Sequence, residues 1–109
     1  MTTQALQDSA LFQTGYLVDG VWKTLDTTFD VLNPATGEAI AKVAKAGTKE
    51  TEEAIAAASR AFPAWRARTA KERSTILYRW YELIIENKQW LGQLMTTEQG
   101  KPLKEAEGE

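Results

Sequence analysis

The sequence predicts an α/β chain in which short antiparallel strands come first and helices follow. Three observations predict it. Asp19-Gly20 separates the short apolar runs Tyr16-Leu17-Val18 and Val21-Trp22-Lys23, and both turn residues accept the positive φ of a type I′ hairpin. Beyond Thr48 the apolar residues recur at helical rather than alternating spacing. Thr69-Ala70-Lys71-Glu72 fits the reciprocal capping box that opens a helix.

Each element follows from local chemistry. Residues 1–15 are polar and rich in small side chains and read as an N-terminal arm or frayed terminus, with a partial domain over 16–109. After the hairpin, Phe29–Leu32 reads as a strand. Asn33-Pro34-Ala35-Thr36-Gly37 reads as a turn, because Pro34 presets φ and Gly37 tolerates a left-handed position. Ala39–Ala44 alternates around Ile40 and Val43 and predicts a further strand ending near Gly47. Thr48 is the expected cap of a helix whose first turn carries Glu50, Glu52 and Glu53, the sign that suits the positive end of the helix dipole. Its alanines at 54, 56, 57, 58 and 61 imply close approach to a neighbour. Pro63 is expected to break or kink it, since proline lacks the N–H and clashes one turn back.

A second helix is expected from Ala70 through Ile85, with Ile76, Leu77, Trp80, Leu83 and Ile84 as its core stripe. Tyr78, Tyr81 and Ile85 extend the apolar surface onto other faces, and a helix apolar nearly all round is normally buried between elements. A third helix, Gln89–Gln99, places Trp90, Leu91, Leu94 and Met95 on one side. Gly100 suits the left-handed residue that ends it. Pro102 suits the first position of a further helix over Leu103–Glu109, for which no stop signal is visible.

Composition narrows the function classes. The chain has 109 residues, enough for one domain at most, with 43% hydrophobic and 26% charged residues, an ordinary soluble composition. A net charge of −2 supplies no electrostatic reason for nucleic acid or an anionic membrane as partner. No apolar run approaches the roughly 18 residues of a membrane span, and the first fifteen residues lack the basic and apolar regions of a secretory signal. Cysteine and histidine are both absent. The chain therefore cannot supply a thiolate nucleophile, a histidine base, or a typical zinc site. Its seven glycines are scattered and form neither G-x-G-x-x-G nor a P-loop.

Three ordered motifs carry a resemblance. Leu17-Val-Asp-Gly-Val-Trp22, Phe29-Asp-Val-Leu-Asn-Pro-Ala-Thr-Gly-Glu38 and Glu98-Gln-Gly-Lys-Pro-Leu103 resemble, in order and spacing, the N-terminal region of aldehyde dehydrogenases. Ala61-Phe-Pro-Ala-Trp-Arg-Ala-Arg-Thr-Ala-Lys-Glu-Arg73 is similar to the succinate-semialdehyde dehydrogenase branch, with glutarate-semialdehyde and other semialdehyde dehydrogenases using similar wording. The resemblance implies that the chain is the N-terminal part of an aldehyde-dehydrogenase-like nucleotide-binding domain. It implies NAD or NADP as cofactor, a small-molecule aldehyde as substrate, a homo-oligomeric parent and a cytoplasmic location. In the family's chemistry a cysteine thiolate attacks the aldehyde, hydride passes to the nicotinamide, and a glutamate-activated water hydrolyses the thioester. The cofactor loop, the glutamate and the substrate clamp belong to later parts of such a chain. No catalytic, cofactor-binding or metal-ligating residue is therefore assigned within residues 1–109, and the polypeptide alone is expected to be inactive.

Several local features have rival readings. Arg60, Arg66, Arg68, Lys71, Arg73 and Arg79 could attract a cofactor phosphate or a substrate carboxylate, but arginines at a helix junction more often bind helix-end carbonyls and nearby glutamates. Lys101 could reach a phosphate, though no glycine-rich loop supports it and helix-end capping is favoured. The four tryptophans could stack nucleic acid bases, but their spacing with leucine and isoleucine favours core packing. A monovalent cation at the Val31 or Leu32 carbonyl, which some family members bind beside this turn, would leave no side-chain signature. The alternative to an enzyme piece is a non-enzymatic helical interaction module that uses the Trp80 and Tyr81 face to bind a partner.

Overall fold

A computed structural model describes all 109 residues. The element order is α1 (Thr3–Gln7), β1 (Tyr16–Val18), β2 (Val21–Lys23), β3 (Thr28–Leu32), β4 (Ala39–Ala44), α2 (Thr48–Ala67), α3 (Ala70–Glu86), α4 (Lys88–Gln99) and α5 (Leu103–Ala106). The strands form two separate antiparallel pairs, β1 with β2 and β3 with β4. Asp19 and Gly20 take φ of 55° and 74°, as the hairpin turn requires. The β3–β4 turn closes through Gly37 N–H donating to the Asn33 carbonyl at 2.8 Å, while the Asn33 side chain accepts from Ala35 N–H at 2.9 Å.

The β3–β4 register shifts between Val31, opposite Ala41, and Leu32, opposite Ala39. Ile40 is thus the extra residue of a bulge, which leaves its carbonyl outside the ladder. Gln7 of α1 donates its side-chain N–H to that carbonyl, and Leu6 beside it is fully buried. The N-terminal segment therefore departs from the frayed arm read from composition. One buried apolar side chain, a hydrogen bond to β4 and packing against α4 hold it in place.

Two helix starts differ in kind. At α3 the capping box forms as expected: Glu72 N–H donates to Thr69 Oγ1 at 3.2 Å, and Thr69 N–H donates to the Glu72 carboxylate at 2.7 Å. At α2 the cap is Gly47, one residue before the expected Thr48, and Glu50 accepts from Gly47 N–H at 2.8 Å. Pro63 does not break α2, which continues to Ala67. Pro63 and Ser59 are both exposed, so the ring points away from packing and the Ser59 carbonyl left without a donor is open to water. The final helix is shorter than expected. It spans Leu103–Ala106 with Pro102 as its cap rather than its first residue, and Gly108 N–H turns back to the Glu105 carbonyl at 3.0 Å.

The core is thin. Leu6, Val18, Ile40, Ala57 and Ala106 are its buried apolar residues. Ala57 places the alanine face of α2 near the first hairpin, the close approach its small side chains imply. Gly92 of α4 is buried because α5 passes directly over it: a Cβ there would lie 2.7 Å from Glu107 Cγ. Gly100 closes α4 with φ 83° and faces Pro34, whose Cγ would lie 3.1 Å from an added Cβ. The Asn33-Pro34 turn and the Gly100 joint, far apart in sequence, thus meet in the fold.

The surface is correspondingly large. A monomer of this mass exposes roughly 6,000 Å² by the usual scaling, whereas this chain exposes 8238 Å². Its radius of gyration is 16.6 Å, against about 13 Å for a compact domain of this length. No residue of α3 is buried, so within this chain its apolar stripe is uncovered.

Candidate functional site

The sequence assigns no catalytic group within these residues. The concavities are open surface clefts. One, of about 340 Å³, lies between the first hairpin and α2, lined by Val18, Asp19, Val21, Lys23, Glu53 and Arg60. Its charges are already matched: Lys23 pairs with Glu53 at 3.3 Å and Arg60 with Asp19 at 3.8 Å. These solvent-exposed pairs brace the hairpin against α2, each stabilising by at most about 1 kcal/mol.

A dinucleotide phosphate needs free backbone N–H groups at a helix N-terminus, usually after a glycine-rich loop. The starts of α2 and α3 do not offer them, because each is occupied by a carboxylate of the chain itself. Hydrogen bonds from the backbone at Gly47 and Glu50 hold the Glu50 carboxyl below its ordinary value. The backbone and hydroxyl of Thr69 do the same for Glu72. A phosphate at either end would meet a fixed negative charge. Neither of these two helix starts fits a dinucleotide phosphate, and no group of three or more His, Cys, Asp or Glu side chains gathers where it could hold a metal ion.

The basic residues near the α2–α3 junction do not form one cluster. Arg60 faces the hairpin, and Arg79 reaches Glu82 at 3.3 Å and Glu86 at 3.4 Å along α3. Arg73 has a buried Nε without a hydrogen-bond partner. Lys101 pairs with the Glu109 carboxylate rather than capping the end of α4, and that pairing holds Glu109 below its ordinary value.

The tryptophans lie on four different elements, β2, α2, α3 and α4. Trp65 and Trp90 are half-buried, but Trp22 and Trp80 are 51% and 63% exposed. The expectation of core packing thus fails for two of the four within this chain. Nor do they form a stacking platform; the one close aromatic pair is Tyr78 with Tyr81, centroids 5.6 Å apart. The feature that sequence reasoning missed is the buried Gly92 under α5. A glycine inside a helical pattern signals close approach, but nothing local names the partner.

Comparison with known proteins supplies what the geometry lacks. Residues 22–109 match the aldehyde dehydrogenase family. The chain is 58% identical over 106 residues to the glutarate-semialdehyde dehydrogenase of Pseudomonas putida, covering 95% of this chain and 22% of that one. It is 54% identical to the mitochondrial succinate-semialdehyde dehydrogenase of Arabidopsis thaliana, covering 98% of this chain and 21% of that protein. Its backbone superposes on the crystal structure of an NADP-dependent enzyme from Escherichia coli with a TM-score of 0.89 at 51% identity, over 93% of this chain and 21% of that one. The chain thus spans about a fifth of the length of the relatives it matches. It corresponds to an N-terminal piece of their fold and belongs to the aldehyde dehydrogenase family.

Proposed function

We propose that these residues are the N-terminal scaffold of an NAD(P)⁺-dependent semialdehyde dehydrogenase that oxidises a short aldehyde carrying a carboxylate, succinate semialdehyde or its one-carbon-longer homologue. The observation that carries this reading is the match over 95% of the chain to a glutarate-semialdehyde dehydrogenase, with a succinate-semialdehyde dehydrogenase at nearly the same identity. The near-equal identities favour the substrate class over either member. When bound, the dinucleotide supplies the hydride acceptor. The groups that bind it and perform the chemistry are placed outside residues 1–109, because this chain has no cysteine and its principal helix starts are self-capped.

The role of the piece is then to hold shape. Its hairpins, α2, α4 and α5 form a frame, and α3 offers that frame's apolar face. On this reading 1–15 is an accessory segment and 16–109 the partial domain. We take the parent to be a cytoplasmic homo-oligomer, as the family resemblance implies. Sedimentation and cell fractionation of the full-length product test both.

The direct test is the reading frame that encodes this chain. It should continue past Glu109 into a glycine-rich cofactor loop, a catalytic glutamate and a cysteine. The full product should reduce NAD⁺ or NADP⁺ with succinate or glutarate semialdehyde. A natural stop codon after Glu109 would favour the non-enzymatic module instead.

A further inference from the structure

The turn of the first hairpin sets an exposed carboxyl beside an unencumbered backbone nitrogen. The Asp19 side chain is 71% exposed, and its ion-pair partner Arg60 stands at 3.8 Å, beyond hydrogen-bond distance. The Gly20 N–H donates to no acceptor in the chain. A Cβ built at Gly20 meets nothing within 4 Å, so no neighbour crowds the residue. The other aspartates lack this combination. Asp8, Asp26 and Asp30 precede Ser9, Thr27 and Val31, whose side chains hinder the following nitrogen. Asp8 also accepts from Gln4 at 2.8 Å, and Asp30 from Lys42 at 2.7 Å. Asn33 precedes Pro34, which has no N–H, and the Asn87 amide donates to the Leu83 carbonyl at 2.8 Å.

We propose that Asp19 is a site of spontaneous covalent modification, at which the main chain converts to a β-linked isoaspartate. The Gly20 nitrogen gives its proton to water and attacks Asp19 Cγ. A new N–C bond forms, the carboxyl hydroxyl leaves as water, and a five-membered succinimide closes. Water then opens the ring. Cleavage of the new bond restores aspartate, whereas cleavage between the nitrogen and the main-chain carbonyl carbon leaves the chain running through Cγ. One water is released and one consumed, so no oxidant or further reactant is needed. The two reacting groups belong to adjacent residues, which gives the closure a high effective concentration. Closure fixes the Asp19 ψ, so the turn, with φ of 55° and 74°, has to open first. Opening is within reach because the two strands have three residues each, a pairing of marginal stability. The exposed pairs Lys23–Glu53 and Arg60–Asp19 that brace it slow opening by at most about fivefold each. The added methylene lengthens a two-residue turn and displaces Val21 from its partner Val18.

The test ages the purified 109-residue chain at neutral pH in water enriched in heavy oxygen, beside a free peptide spanning residues 16–23. Isoaspartate is located by peptide mapping and by labelling with an isoaspartyl methyltransferase. It should accumulate at Asp19 ahead of Asp8, Asp26 and Asp30, and each product should carry one heavy oxygen, the signature of ring opening by water. The rate in the chain should fall within roughly thirtyfold of the peptide's, the limit set by two exposed ion pairs. Arg60→Gln should raise the rate by up to about fivefold while the helical circular dichroism stays unchanged. Asp19→Asn passes through the same ring with ammonia as leaving group, and should lose its amide sooner than Asn33 or Asn87. A peptide that converts while Asp19 of the chain stays level with the other aspartates would overturn the proposal. So would an absence of conversion in both, isoaspartate without heavy oxygen, or an Asp19→Asn chain that keeps its amide as long as Asn33 does.

Discussion

The α1–β4 corner and helix α3 share one polypeptide but satisfy opposite conditions. In the corner, a single buried leucine, a hydrogen bond from Gln7 to the Ile40 carbonyl of a bulged strand and packing against α4 hold a short terminal helix. In α3, seventeen residues with the stronger apolar pattern contain no buried side chain. Hydrophobic pattern alone thus says which surface must be covered, not whether this chain covers it. The corner is self-sufficient; α3 is a well-capped helix that needs a neighbour.

The contrast can be broken from the packed side first. Leu6→Ala removes the one fully buried large side chain and should cost about 2–5 kcal/mol, read as lost hydrogen-exchange protection in α1 and β4. Unchanged protection would mean that the corner does not hold the segment. Gly92→Val should cost roughly 1–3 kcal/mol, because a Cβ would lie 3.3 Å from the backbone N of Glu107 as well as 2.7 Å from its Cγ. Detachment of α5, seen as increased proteolysis after Gly100, is the expected sign.

The α3 side should respond more weakly in the isolated chain. Thr69→Ala should cost about 1 kcal/mol of helix stability, read by circular dichroism. Glu72 contributes through the same cap, and its sign is fixed by its lowered pKa. The stabilisation is complete above its ordinary value of 4.5 and is lost as pH falls through the depressed folded value. Helicity should therefore decline in acid more in the native chain than in Glu72→Gln, which lacks the titrating group. Smallest of all, Trp80→Ala in the isolated chain should change stability by less than about 0.5 kcal/mol, while reducing the binding of an apolar dye. A larger loss would show that α3 is already packed.

What was legible in the sequence is what local chemistry decides. Asp19-Gly20, Thr69–Glu72 and Gly100 declare a hairpin turn, a cap and a helix end through φ and hydrogen-bond demands that few residues meet. Ala39–Ala44 is a strand as expected, although it ends at Ala44 rather than near Gly47 and carries a bulge at Ile40. The misses depend on tertiary surroundings. Residues 1–15 lack a periodic signal, and only the bulge carbonyl at Ile40 explains why Gln7 is held. Pro63 is tolerated because its face is open to solvent, which composition does not reveal. Leu103–Glu109 looked like one helix, but the fold ends it at Ala106 with Gly108 turning back. Function was legible only through motifs, since a scaffold without a nucleophile has no constellation to read.

The most direct test is a turnover assay. Purified residues 1–109, incubated with succinate or glutarate semialdehyde and either NAD⁺ or NADP⁺, should produce no reduced cofactor above the uncatalysed background. Aldehyde-dependent reduction that stays with this polypeptide through purification would contradict the claim that it carries the frame and not the chemistry.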